Sequence, residues 1–349
     1  MKKKIFAVMT ALVLVAAMTA VLMTGCTPDE GDPSSGDNTV TEINIVVPDG
    51  SPAIALAKLI NDNASPEGYS VNYTIVSGAA QIAPAIANGT ADIAIAPTNI
   101  GATIYNKTGS IKLVSTVVQG ALYMVGKEDL SGDTTEARLR SLMGQTVYNI
   151  GQGATPDLTF RYILDHFEIP YKMTDVESAD YIALRYVSEG NELIPMLKPE
   201  GTAKYGILGE PAVSRANANA GTSTVFSIQD LWKEATGSQT DGFPQASLFV
   251  GTKLLNGNHT ALLEWLNEGL TANETWAVEN PSLVTSALSG KGSTSLSGLS
   301  AAMISACNLD TIAAADAREA VNTYLTALYN FQPNTVGGKV PDDGFYYVG

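Results

Sequence analysis

GTADIAIAPTNIGATIYNK, residues 89–107, contains the change from strand to helix that decides the fold. Its first half alternates small and β-branched apolar residues as a strand does, and Pro97 ends that pattern. Thr98 and Asn99 follow, and the residues after them have helical spacing. Two similar units precede this one in the chain, each a strand that leads into a helix. Three successive strand–turn–helix units predict a parallel sheet covered by helices.

A long extended segment, residues 111–126, indicates that the chain passes from one sheet into a second. Strands usually span about five or six residues, and this run is interrupted only at Gln119 and Gly120. A second α/β set follows, residues 243–250 resemble a returning strand, and the chain then has helical spacing to about residue 331. We therefore predict an α/β protein with two lobes, each a mostly parallel sheet flanked by helices, joined by a two-strand hinge that can close around a ligand.

The predicted lobes have the following bounds. Lobe 1 comprises residues 42–118 and 251–349, and lobe 2, residues 119–250, is inserted into it.

The N-terminal segment has the order of an export signal. Lysines come first, an apolar run over residues 5–23 follows, and small residues precede Cys26. This arrangement resembles the lipobox of bacterial lipoproteins, although Met23 stands where that motif more often has leucine. It predicts a signal peptide at residues 1–25, lipid on Cys26 and a flexible tether over residues 26–41. The alternative is a single membrane-spanning anchor, and both interpretations place the rest of the chain outside the cytoplasm, at the cell surface or in a periplasm.

The charge and the cysteine content of the chain argue against some kinds of binding partner and against a disulfide. The formal net charge is -15, which argues against binding to nucleic acid or to an anionic membrane surface. The chain has 2 cysteines. With Cys26 lipidated, only Cys307 remains, so we expect no disulfide within the chain and a small core residue at that position.

Polar residues stand where the predicted strands end and the next helices begin. In an open α/β sheet these points border the binding crevice. The residues are Ser51, Ser77, Thr98, Asn99, Thr155 and Glu210. Each of them could cap its helix alone or also contact a ligand, and the sequence leaves both open. Their convergence on one crevice favours a binding site.

Motifs for catalysis or cofactor binding are missing from the sequence. GQGATPDLTF, residues 151–160, resembles a dinucleotide loop, but Pro156 stands where the third glycine belongs. The chain has 2 histidines and lacks the G-x-S-x-G, H-E-x-x-H and Walker motifs. We therefore expect a protein that is not an enzyme and needs no metal or cofactor. The alternative is an exported enzyme on the same fold, with Glu210 or Asp157 as its base.

The order of these motifs resembles the solute-binding lipoproteins of ABC importers. The stretches concerned are PDGSPAIALAKL, NGTADIAIAPTNIGATIYNK, LVSTVVQGALYMVG, GQGATPDLTFRYIL, YGILGEPAV and FPQASLFV. Together with the lipobox, they are similar to the nitrate/sulfonate/taurine-type branch, which has the type II periplasmic-binding fold. The resemblance implies a monomer that carries its ligand between the lobes to ABC permease subunits. Carried over by position, the implied ligand contacts are Ser51, Ser77, Gln81, Thr98, Asn99, Gln119, Gln152, Thr155 and Glu210.

The charges near these positions predict the class of ligand. No lysine or arginine lies in the strand-end loops, and we interpret Lys58, Arg161 and Arg215 as lying well inside helices. We therefore expect a small organic ligand that is neutral, zwitterionic or weakly cationic, stacked on Tyr123 and paired with Glu210. A further alternative is a tethered sensory or partner-binding lipoprotein with an empty cleft.

Overall fold

Strands and helices alternate through the computed structural model, which describes residues 40–238 and 242–349. The predicted signal peptide, Cys26 and the tether up to residue 39 lie outside the described residues. Within the described part of the chain, every helix is too short or too polar to cross a membrane.

The secondary structure has twelve strands in the described residues. They are β1 (Thr41–Pro48), β2 (Tyr69–Val76), β3 (Ile93–Pro97), β4 (Ile111–Val118), β5 (Leu122–Gly126), β6 (Thr146–Ile150), β7 (Tyr171–Met173), β8 (Ile182–Val187), β9 (Tyr205–Gly209), β10 (Ser223–Ser227), β11 (Ala246–Gly251) and β12 (Leu309–Ala313).

The helices complete the alternation. They are α1 (Ser51–Ile54), α2 (Ala57–Asp62), α3 (Ile82–Ala87), α4 (Thr98–Thr108), α5 (Thr135–Arg140), α6 (Thr155–His166), α7 (Gly190–Leu197), α8 (Ala212–Ala220), α9 (Ile228–Thr236), α10 (Thr260–Glu279), α11 (Pro281–Ser289), α12 (Ala301–Ser305) and α13 (Ala314–Phe331). Short 3₁₀ turns occur at Ala79–Gln81, Leu254–Asn256, Pro333–Val336 and Asp343–Phe345.

The strands form two mixed six-stranded sheets. The first has the order β12-β4-β11-β3-β1-β2 and the second the order β10-β5-β9-β6-β8-β7. In the first sheet β1 is parallel to β2 and β3, whereas β11 is antiparallel to β3 and β4. In the second sheet β6 is parallel to β8 and β9. This confirms the predicted α/β fold. We call the first sheet with its helices lobe 1 and the second sheet with its helices lobe 2.

The chain crosses between the sheets where the long extended segment predicts a crossing. β4 ends at Val118 in the first sheet and β5 begins at Leu122 in the second. On the return, β11 pairs with β3 and β4 from Ala246 onward. The first sheet therefore already includes residues that the predicted boundary at residue 250 had placed in lobe 2.

Three strands were not predicted from the sequence. β12 interrupts a region that we expected to be helical, and β7 and β10 also went unrecognised. All three strands lie at the edges of their sheets. β7 has only 3 residues, and β12 has no fully buried residue. An edge strand that buries little lacks the alternation of apolar residues on which the prediction depends. Cys307, just before β12, is fully buried, as predicted.

One hydrophobic cluster continues from lobe 1 into lobe 2 through α13, which packs against β4 and α6. Tyr324 of α13 stacks on Phe243, with ring centroids 5.4 Å apart. It also meets Trp232 of α9 edge-on at 5.3 Å. The last long helix and the returning segment therefore hold the two lobes together beside the crossing.

Gly101 allows the helix in residues 89–107 to pack closely against its sheet. It lies in α4, and a Cβ atom at this position would come within 2.0 Å of the Phe249 ring in β11. Any side chain would overlap that ring, so glycine lets the helix lie directly on the sheet.

Candidate functional site

Polar strand ends from the two lobes meet at buried hydrogen bonds. Ser51, the first residue of α1, donates from Oγ to the backbone oxygen of Glu210 at 2.8 Å. Thr155, the first residue of α6, donates from Oγ1 to Oδ1 of Asn99 in α4 at 3.0 Å. The four residues are buried, with exposed fractions of 3%, 7%, 2% and 1% in the order named. We call Ser51, Asn99, Thr155 and Glu210 the seam.

The Glu210 carboxylate lies at the start of α8. It accepts hydrogen bonds from the backbone nitrogen of Ser214 at 3.2 Å and from its hydroxyl at 3.0 Å. Burial raises the pKa of Glu210, whereas the bonds from Ser214 and the charge of Arg215 lower it. Glu210 stands just before the N-cap residue Pro211, and its side chain accepts from the first turn of α8 while its backbone oxygen contacts Ser51 across the seam.

Tyr123 makes a further contact between the lobes. It lies in β5 and directs its hydroxyl to the backbone oxygen of Ala306 in lobe 1, at 3.4 Å. Burial raises the pKa of Tyr123, and the charge of Glu210 raises it further. The ring itself is half-buried.

Arg215 is a lobe-crossing residue that the sequence reasoning missed. Its Nη1 donates to the backbone oxygen of Ser295, and its Nη2 donates to that of Ser297 at 2.5 Å. Arg215 is in the first turn of α8, which begins at Ala212, and not well inside the helix as we expected. Arg215 follows Glu210 closely in the sequence, and this proximity could have indicated that it lies near the boundary between the lobes. Burial lowers the pKa of Arg215, while the charges of Asp49 and Glu210 raise it.

Asp49 organises the loop that receives Arg215. Its Oδ1 accepts a hydrogen bond from the hydroxyl of Ser293 at 2.7 Å. Its Oδ2 accepts from the backbone nitrogens of Thr294 at 3.1 Å and Ser295 at 3.0 Å. These bonds fix the backbone whose carbonyl groups face Arg215.

Gln119 is at the crossing, where the sequence places it, but its side chain is occupied by the protein. Its Nε2 donates to the hydroxyl of Thr116 at 2.8 Å and to the backbone oxygen of Asp310 at 3.0 Å. Nδ2 of Asn308 donates to the Gln119 backbone oxygen at 2.9 Å. Gln119 therefore ties the crossing to β12 and the residues before it.

Besides Gln119, four residues implied by the resemblance lie outside the seam. Ser77 and Gln81 are exposed and pair with each other, Nε2 to Oγ, at 2.7 Å. Thr98 is buried within lobe 1, where its hydroxyl pairs with that of Ser247 at 2.8 Å. Gln152 is exposed and donates to Sδ of Met173 at 3.2 Å. It lines a separate surface cavity of about 430 Å³. These four residues were predicted from their position in the sequence alone, and that position does not determine where a side chain points.

Asp157, the alternative base, is fully buried and tied to its surroundings. Its Oδ2 accepts from the backbone nitrogen of Gly153 at 2.8 Å and from Arg161 at 3.3 Å. Its Oδ1 accepts from the hydroxyl of Tyr186 at 2.8 Å. Asp157 thus connects the preceding loop, α6 and β8. The described residues also contain no group of three or more His, Cys, Asp or Glu side chains placed to hold a metal ion.

Comparisons with known proteins identify the fold. No protein-family model and no curated protein sequence matches the chain. An ABC transporter structure from Parabacteroides distasonis is 24% identical, with a TM-score of 0.70, covering 88% of this chain and 99% of that one. The periplasmic aliphatic sulphonate binding protein of Escherichia coli is 14% identical, with a TM-score of 0.61, covering 88% and 92%.

A third similar structure comes from Candida albicans and is described as exhibiting the generic periplasmic binding protein structural fold. It is 12% identical, with a TM-score of 0.53, and the match covers 87% of this chain and 92% of that one. This chain therefore has the periplasmic-binding-protein fold.

Proposed function

We propose that the chain is an extracytoplasmic solute-binding lipoprotein of the nitrate/sulfonate/taurine type. It would capture a small organic ligand between its lobes and deliver the ligand to the permease subunits of an ABC importer. Lipid on Cys26 would hold it at the outer face of the cytoplasmic membrane. The observation that carries this proposal is the seam, where Ser51 meets Glu210 and Asn99 meets Thr155.

The seam supports reversible binding because its polar groups come from opposite lobes. Separation of the lobes would leave the hydroxyl groups of Ser51 and Thr155 and the side-chain oxygen of Asn99 without these partners. When the lobes separate, water reaches these groups and replaces the lost partners. When the lobes close, a buried polar group without a partner costs about 1 to 3 kcal/mol, so the closed form needs these groups to pair across the seam or with a ligand between the lobes. The short crossing at Gln119, between β4 and β5, would permit the motion.

The charged residues beside the seam refine the class of ligand. Glu210 is a buried carboxylate that would pair with an amine, and the neighbouring Tyr123 ring offers a surface for stacking. Arg215 adds a positive charge close to Glu210. A zwitterion that carries both an amine and an acid would meet groups of opposite charge here. The proposed ligand remains small and organic, and neutral, zwitterionic or weakly cationic.

A thermal-shift screen tests the proposal. The probes are individual amino acids, taurine and other sulfonates, pyrimidines, purines and vitamins, and small molecules that co-purify are identified by mass spectrometry. A compound that binds only the folded protein stabilises it, by about 2.7 kcal/mol at one hundred times its dissociation constant. We expect one class to raise the unfolding midpoint of the wild-type protein and to raise that of Glu210→Gln less.

Two outcomes would contradict this function. If no probe shifts the midpoint and nothing co-purifies, a sensory or partner-binding lipoprotein is favoured. If a probe is converted to a product instead of being retained in stoichiometric amounts, the exported enzyme is favoured.

A further inference from the structure

We propose that Arg215, Asp49 and residues 293–297 form a latch that holds the two lobes together without help from a ligand. Arg215 belongs to lobe 2, and the loop that it contacts precedes α12 of lobe 1. The contact is made by protein groups on both sides. The inference concerns the ligand-free protein and does not depend on the proposed function.

The geometry of the latch is specific to arginine. The planar guanidinium group directs two of its N–H groups at two backbone oxygens, those of Ser295 and Ser297. A lysine in this position has one ammonium group on a flexible chain and does not present this fixed pair of donors. Arg215 is partly buried, which lowers its pKa, so the two carbonyl groups replace water around a charged group.

Asp49 acts through the loop and not through direct contact with Arg215. Its carboxylate accepts three hydrogen bonds from Ser293, Thr294 and Ser295. The carbonyl group of Ser295 therefore has a fixed direction when Arg215 meets it. We assign Asp49 as a positioning residue of the latch.

The latch sets the balance between closed and open lobes. A hydrogen bond to a charged group changes an equilibrium constant by roughly ten- to a hundredfold. Arg215 makes two such bonds, so the latch shifts the ligand-free protein toward the closed form by at least tenfold. A ligand that enters the open form then binds with an apparent affinity reduced by the fraction of protein that is open.

Double electron–electron resonance on the full chain without added ligand tests this inference. Spin labels are attached at Leu283→Cys in lobe 1 and Val176→Cys in lobe 2, both highly exposed, at 45% and 65%. Cys26→Ser removes one native thiol, and Cys307 is fully buried. We expect one short distance in the otherwise wild-type chain. Arg215→Gln should lower the closed-to-open ratio tenfold or more and add a population at longer distance.

Two further variants separate the latch from a general loss of structure. Asp49→Asn should shift the same population, and Arg215→Gln combined with Asp49→Asn should shift it no further than Arg215→Gln alone. The matched control is Arg138→Gln, because Arg138 also donates to a backbone oxygen, that of Val225, but within lobe 2. It should leave the distances unchanged.

The result that overturns the latch is equally specific. A wild-type chain that is already mainly open, an unchanged distribution for Arg215→Gln, or an equal shift for Arg138→Gln would each show that Arg215 does not hold the lobes together. The radius of gyration from X-ray scattering should increase only for the variants that open.

Discussion

Thr155 in lobe 2 donates a hydrogen bond from its hydroxyl group to the side-chain oxygen of Asn99 in lobe 1, over 3.0 Å. Both residues are almost completely buried, so water does not compete for this contact. Thr155 is the first residue of α6 and Asn99 the second residue of α4, and each helix follows a strand of its own sheet. The bond therefore joins the region after β3 in lobe 1 to the region after β6 in lobe 2.

Thr155→Val should destabilise the protein, because it removes the hydroxyl group while keeping the shape of the side chain. The Asn99 oxygen would stay buried without this donor, at a cost of about 1 to 3 kcal/mol in the free energy of unfolding. Guanidinium denaturation measures the change. Thr326→Val, at an exposed position of α13, is the control and should stay within about 0.5 kcal/mol. Equal effects of the two variants would contradict the role of the seam.

Gly101→Ala should destabilise the protein through overlap with Phe249, since the added Cβ atom would be 2.0 Å from that ring. Overpacking of this kind costs about 1 to 3 kcal/mol or more. Gly78→Ala is the control, because nothing lies within 4 Å of a Cβ there. The double variant Gly101→Ala/Phe249→Leu should recover part of the loss. If Gly101→Ala is as stable as Gly78→Ala in thermal unfolding, the close approach of α4 to the sheet is not required.

Glu210→Gln should change how stability depends on pH. Burial raises the folded-state pKa of Glu210 above its ordinary value of 4.5, so the folded protein binds the proton more tightly than the unfolded chain. The contribution of this group to stability is therefore largest below the ordinary pKa and is lost as the pH rises through the folded-state pKa. Glutamine resembles the protonated acid and does not ionise, so the variant does not lose this stability as the pH rises.

The measurement is the unfolding free energy of both proteins between about pH 3 and pH 8. The difference between Glu210→Gln and wild type should favour the variant more at neutral pH than at acidic pH. A difference that does not change with pH, or that grows as the pH falls, would show that the Glu210 carboxylate is not held in a desolvated position.

Cys26→Ser should remove the lipid from the protein if the proposed lipidation is correct. The wild-type chain should partition into the detergent phase, and mass spectrometry of its N-terminal peptide should show an acylated cysteine at residue 26. The variant should be retained by its uncleaved apolar segment or secreted without lipid. A wild-type protein that still carries residues 1–25 would favour the membrane-spanning anchor instead.

Much of the fold could be predicted because its signals are local. Alternating apolar residues identify β1, β2 and β3, and Pro97 marks the point where a strand gives way to a helix. The crossing at Gln119 was also predictable, since the extended segment is too long for one strand. β12 escaped prediction because its residues are only partly buried and it forms by pairing with β4.

The candidate site also has features that the sequence predicts and features that it does not. By itself, the sequence determined that Ser51, Thr155 and Glu210 stand where strands end and helices begin, because the end of an apolar run and the position of a proline are local properties. Only the tertiary structure decided their partners. Ser51 and Glu210 are 159 residues apart, and Arg215 is 80 residues from Ser295. Such contacts depend on how two separately formed lobes meet, and no pattern within either segment carries that information.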